Sequence, residues 1–142
     1  MNATTNSWAG GVTVAQVRIA RPTDRLEAVE AFYRDGLGLP VLARFAGHAG
    51  YDGVMLGLPG RDYHLEFTRH REGSPCPAPS RDNLLVLYIP DPAHFEAARR
   101  RLEAQGHRPV EPENPWWHGR ALTYEDPDGW RVVLCRDGGL SG

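Results

Sequence analysis

The sequence predicts an α+β fold of two tandem βαβββ modules whose curved sheets surround a cavity. Three observations predict it. First, Asp126-Pro127-Asp128-Gly129 joins two β-rich runs, 120–124 and 130–134. Proline fixes φ and glycine supplies φ > 0, so the tetrapeptide reads as a tight hairpin turn. Second, a weaker copy lies upstream, with Pro59-Gly60-Arg61-Asp62 between runs 53–58 and 63–67. Third, each hairpin follows an alternating strand and an amphipathic helix. Duplicated modules pack about a pseudo-twofold axis and build a cavity between them.

The elements follow in order. Residues 1–12 form a loose polar arm, and 13–73 form the first module. Residues 13–20 alternate with period two, so Val17 and Ile19 face one side and Gln16 and Arg18 the other. Thr23 or Asp24 caps a helix over about 25–35, whose apolar stripe is Leu26, Val29, Phe32 and Tyr33. Gly36-Leu37-Gly38 ends it. Strands follow around 40–45, 53–58 and 63–68. Residues 74–82 are a proline-rich, semi-rigid linker. The second module, 83–142, repeats the order: a strand at 84–89, then a helix from Asp91 or Pro92 through Phe95, Ala98 and Leu102 to Gly106. Strands near 108–110, 120–124 and 130–135 complete it. The modules make one compact domain.

A chain of 142 residues, 41% hydrophobic and 24% charged, can bury one ordinary core. A net charge of −2 without a Lys/Arg run argues against nucleic acid as a partner. No apolar segment approaches the roughly 20 residues that span a bilayer, so no membrane partner is expected. The N-terminus lacks the basic and apolar regions of a signal peptide. The two cysteines, Cys76 and Cys135, lie in different segments and read as free thiols in a reducing cytoplasm. The chain contains no phosphate loop, Ser-His-Asp order, zinc pattern or nucleotide fingerprint.

The two modules, the Phe32-Tyr33 pair before Gly36-Leu37-Gly38-Leu39, and Glu125-Asp126-Pro127-Asp128-Gly129-Trp130 together resemble the vicinal oxygen chelate superfamily. This is the group of glyoxalase I, bleomycin-resistance proteins and extradiol dioxygenases, and the resemblance covers roughly 14–135. It implies a homodimer and a small organic ligand. Members with a metal take one ligand from the first and one from the last strand of each module. Carried onto this chain, those positions are Gln16 and Glu66 in the first module. In the second they fall among Leu84, Leu85 and Val86, and on Val133, four residues past Gly129. Half of the set is missing, so no cofactor is expected. A divalent metal, if one binds, would use Gln16, Glu66 and His64.

Strand alternation turns Gln16, Arg18, His64, Glu66 and Thr68 toward one cavity. Glu66 and His64 are the catalytic candidates. Glu66 reads either as a general base or ligand anchor, or as one half of an ion pair with Arg18. Trp116, Trp117 and His118 form either a stacking wall for a ligand or an interface. Tyr51 occupies the position in the first module that corresponds to Trp117, and Tyr124 completes the ligand-binding candidates. Phe32, Tyr33, Phe95 and Cys135 read as core, and His48, His70, His94 and His107 as surface. Asp126 and Asp128 read as turn residues. The leading function is metal-independent capture of a small organic molecule, in the manner of the proteins that confer bleomycin resistance. Two alternatives stand beside it. One is a metal-dependent lyase, isomerase or dioxygenase using Gln16 and Glu66. The other is a metal-free isomerase with Glu66 as base and Arg18 holding an oxyanion.

Overall fold

The computed structural model describes residues 8–140; most of the predicted N-terminal arm, residues 1–7, lies outside them. The first module contains β1 (Val17–Pro22), α1 (Leu26–Ala31), β2 (Val41–His48), β3 (Tyr51–Gly57) and β4 (Tyr63–His70). Its sheet order is β1-β4-β3-β2, with β1 parallel to β4. The second module contains β5 (Leu84–Tyr88), α2 (Pro92–Ala104), β6 (Ala121–Glu125) and β7 (Arg131–Cys135). Its sheet order is β5-β7-β6, again with the first and last strands parallel.

Three expectations need correction. The strand expected near 108–110 is only a single bridge between Val110 and Thr123. Pro109, Pro112 and Pro115 cannot donate to a ladder, which limits pairing there. The first helix has the expected span, but only Leu26–Ala31 is α-helical and Phe32–Gly36 is a π-helical turn. Neither Thr23 nor Asp24 caps it. The N-cap is Arg25, whose amide donates to Thr23 Oγ1 at 2.9 Å, while Asp24 accepts from the Ser74 amide. By contrast, Asp91 caps α2, accepting from the amides of Ala93 and His94 at 2.8 and 3.2 Å.

The core is shared by both modules. Leu26, Val29, Phe32 and Tyr33 pack with Val54, Leu56, Leu65 and Phe67, and the same cluster contains Phe95, Leu102, Tyr124, Val132 and Leu134. The His107 ring packs edge-on against Phe32 at 4.8 Å. It is half-buried rather than a surface residue.

The Asp126-Pro127-Asp128-Gly129 turn does more than reverse the chain. Asp126 Oδ1 accepts from the amides of Asp128 and Trp130 at 2.8 and 3.0 Å. Arg21 of β1 reaches across from the first module and pairs with Asp126, and with Asp128 at 2.8 Å. Thr23 Oγ1 donates to Asp128 at 2.6 Å, and the Tyr33 hydroxyl donates to Asp126 at 2.9 Å. The Arg21 guanidinium also lies over the Phe67 and Trp130 rings, at 5.0 and 5.1 Å. Burial pushes the Tyr33 hydroxyl well above its ordinary range, and the Asp126 charge adds to this. Trp130 Nε1 donates to the Cys76 carbonyl at 2.8 Å and so ties down the linker. The turn is therefore a clamp between the modules.

Candidate functional site

The register of the first sheet sets the site. On β1 and β4, Arg18 pairs with His64 and Ala20 with Glu66. On β3, Gly57, Met55 and Gly53 lie opposite His64, Glu66 and Thr68, and Phe45 of β2 lies opposite Gly53. Paired residues share a face, so Arg18, His64, Glu66, Met55 and Phe45 all lie on the side opposite the core. The two glycines make room for the floor. A Cβ at Gly53 would fall 2.3 Å from Phe45 Cζ, and one at Gly57 would fall 2.8 Å from Leu42 Cδ1. A register shift between Val41 and Ala43 accompanies the placement of Leu42 over Gly57. Phe45, Leu42 and Met55 thus form an apolar floor around a polar stripe. Sequence reading missed all three; the signal was a strand that alternates glycine with Met55.

Within the stripe, Arg18 Nε donates to His64 Nε2 at 3.0 Å. That bond assigns the proton of a neutral His64 to Nδ1. Arg18 Nη1 lies 3.6 Å from Glu66 Oε2, and Nη2 lies 3.5 Å from Met55 Sδ. The Arg18 side chain is 48% exposed and that of Glu66 12%. His64 is buried.

The other candidates spread out. Gln16 precedes β1 and shares a cavity of about 190 Å³ with Tyr63 and with His64 and Leu42 of this face, but not with Glu66. The β1 position paired with Glu66 is Ala20, so Gln16 stands four residues away along the chain and does not join Glu66 as a ligand pair. Thr68 lies at the other end of the stripe, beside Phe45, His48 and Tyr51. Tyr51 is exposed and stacks edge-on against His70 at 4.8 Å. Trp116 and Trp117 form a 3-10 turn on the second module, with Arg120 lying 3.8 Å over the Trp116 ring. His118 contacts Glu111 at 2.6 Å. Tyr124 is a correction. It lies in the core at 1% exposure, because alternation on β6 points it away from the face that carries Thr123.

In the second sheet, Val133 pairs with Val86 and Thr123, as Glu66 pairs with Ala20 and Met55. Val133 is 0% exposed. Nearby, the Val110 amide donates to the Thr123 carbonyl at 2.7 Å, and Arg131 Nη1 donates to the Glu111 carbonyl at 3.0 Å. A third cavity, about 320 Å³, lies at the seam beside Ile19, Arg21, Phe67, Leu84, Trp130 and Arg131.

This duplicated arrangement has close counterparts among known proteins. Residues 17–68 match the YycE-like N-terminal domain and residues 82–136 the YycE-like C-terminal domain. The chain belongs to the YycE-like family. It is 49% identical over 128 residues to the uncharacterised protein YycE of Bacillus subtilis (strain 168), covering 90% of this chain and 92% of that one. It superposes with TM-score 0.85 on the crystal structure of a Bacillus subtilis YycE protein of unknown function, again at 49% identity, over 90% and 93% of the two chains. TnmS3, an antibiotic binding protein from Streptomyces sp. CB03234, superposes with TM-score 0.63 at 25% identity, covering 89% of this chain and 99% of that one. The fold is that of the vicinal oxygen chelate group.

The residues present on this face do not fit the metal that this group can carry. Among the described residues, no cluster of three or more His, Cys, Asp or Glu side chains could hold an ion. Of the first-module donors only His64 and Glu66 come together, and a guanidinium already faces both. A second cation placed against Arg18 would be repelled.

Proposed function

We propose that this protein binds a small organic molecule on the Arg18–His64–Glu66 face and sequesters it without a metal. One observation carries the reading: a polar stripe set in an apolar floor of Phe45, Leu42 and Met55, on a sheet face that does not serve the core. Such a surface offers contact area and a few orienting polar groups. The antibiotic-binding TnmS3, with the same fold, supports it. Leu42 and Tyr51 remain exposed on this side of one chain, so a second copy in a homodimer is the natural cover. The two free thiols favour a cytoplasmic setting. A thermal-shift screen of small antibiotics and metabolites tests the proposal. A ligand should raise Tm by mass action in the wild type and fail to do so in Met55→Lys. No stabilising compound, or equal stabilisation of the variant, would reject it.

A second reading is a metal-free isomerase with Glu66 as the base. It is favoured by a carboxylate that is mostly buried and accepts no hydrogen bond among the described residues. Such an enzyme would wash solvent deuterium into its substrate, whereas a sequestering protein would return the ligand unlabelled.

A further inference from the structure

We infer that the Arg18 guanidinium holds the place of a cation in this site, and that the ligand therefore carries a carboxylate with a hydrogen-bond donor beside it. The inference deepens the binding reading above and rests on it. Arginine presents five donors in a planar fork that matches a carboxylate edge. Among the described residues, Nε alone has a strong partner, the buried His64 Nε2 at 3.0 Å. That bond fixes the guanidinium over the sheet. Among the described residues, the two terminal nitrogens meet only a thioether at 3.5 Å and a carboxylate at 3.6 Å, while the side chain stays half exposed. Donors are thus oriented, accessible and underused. Glu66 lies beside them with open acceptor oxygens. A bare anion would be attracted by Arg18 and repelled by Glu66. An anion with an adjacent hydroxyl or amine satisfies both, donating to Glu66 while accepting from Arg18. Phe45, Met55 and Leu42 would contact its apolar body.

The test uses three probes of one shape: phenyllactate, its amide phenyllactamide, and hydrocinnamate, which lacks the hydroxyl. Calorimetry on the full chain should show phenyllactate binding at least about tenfold tighter than either, roughly the value of one charge-assisted hydrogen bond. Arg18→Gln should abolish the preference over the amide, and Glu66→Gln the preference over hydrocinnamate. Arg18→Lys, which keeps the charge but not the fork, should recover only part of the first. A second arm uses Co²⁺ alone. Wild-type protein should give no visible Co²⁺ spectrum, whereas Arg18→His, which puts imidazole beside His64 and Glu66, should acquire one. Stoichiometric Co²⁺ on the wild type that is lost in Glu66→Gln overturns the inference. So does an Arg18→His variant that folds yet takes up no Co²⁺. Equal binding of acid and amide also overturns it. If neutral or cationic compounds stabilise the protein through Met55 while phenyllactate does not bind, the binding reading survives and this one falls. If nothing binds at all, both fall.

Discussion

The two modules repeat one architecture and use it differently. On the first sheet, the face away from the core carries Arg18, His64 and Glu66. On the second, the equivalent positions around Val133 hold Val86 and Thr123, and Val133 is fully buried. Both modules keep the parallel pairing of first and last strands. The fold does not need the charged stripe, since the second module does without it. The charged stripe is therefore confined to the first of the two sheets. The other half supplies the turn whose aspartates, held by Arg21, Thr23 and Tyr33, lock the halves together.

The strongest way to break this asymmetry is Val133→Glu. It places a carboxylate at the counterpart of Glu66, in a position with no exposure and with valine and threonine for cross-strand neighbours. Burying an unpaired charge there should cost on the order of 5 kcal/mol, or force the group to hold a proton. Urea unfolding at pH 7 should show the loss, with little recovery in excess Mn²⁺ because Val86 offers no ligand. A variant as stable as its parent would mean that the modules do not pair as described.

Next in size is Arg21→Ala, which tests the seam. Asp126 has no side-chain exposure and would lose its cation, while keeping the Tyr33 hydroxyl and two amides. A loss of about 3 kcal/mol is expected. The pH dependence follows from the direction of the Asp126 shift. Burial raises its folded-state carboxyl above the ordinary value, against the pull of Arg21, Tyr33 and the amides. A carboxyl with a raised folded pKa binds more protons folded than unfolded, so its contribution falls as pH rises through that value. Removing Arg21 raises it further. The variant's deficit should therefore be largest at neutral pH and shrink as pH falls toward the ordinary aspartate range. A deficit that grew on acidification would refute this account of the clamp.

How far the sequence foretold these features depends on the kind of physics involved. Period-two and helical patterns placed β4, β5, β7 and α2 within a residue or two, because alternation and an Asp-Pro start are local signals. Glu66, His64 and Arg18 were grouped correctly because a single strand pair settles their faces. Gln16 lines a cavity with His64 but is not paired with Glu66, because cross-strand register is not local: β1 begins at Val17 and sets Ala20 beside Glu66. Tyr124 was misassigned although alternation from Thr123 would have sent it to the core. Asp126 and Asp128 were read as turn chemistry, which they are, but their partner Arg21 lies more than a hundred residues away. Nothing in a local pattern announces such a contact.

Gly53→Ala sharpens the comparison from the apolar side of the site. Its backbone has no positive φ, so alanine is not strained, but the new methyl must displace the Phe45 ring. The ring tip can swing away, so a stability loss of only about 1 kcal/mol is expected. Ligand binding should suffer more, because the floor loses its aromatic wall. The check is a melting curve beside a titration with whichever compound stabilises the parent. A variant that melts much earlier yet binds normally would assign Phe45 to folding and remove it from the site.

The smallest expected change in stability belongs to Glu66→Gln. Its one charged contact among the described residues is the 3.6 Å approach of a half-exposed arginine, and such pairs contribute little. Glutamine keeps the shape, so the melting curve should move by less than about 0.5 kcal/mol. Affinity for the hydroxy acid should nevertheless fall about tenfold, to the level of hydrocinnamate, because the acceptor beside Arg18 has lost its charge. This split, stability kept and affinity lowered, separates a side chain held for recognition from one held for folding. Val133→Glu and Glu66→Gln thus probe the same position in the two modules with opposite expectations. Were Glu66→Gln to cost more than about 2 kcal/mol, Glu66 would be half of a structural ion pair. The first sheet would then need its charges for the fold, and the contrast between the modules would be one of packing rather than of function.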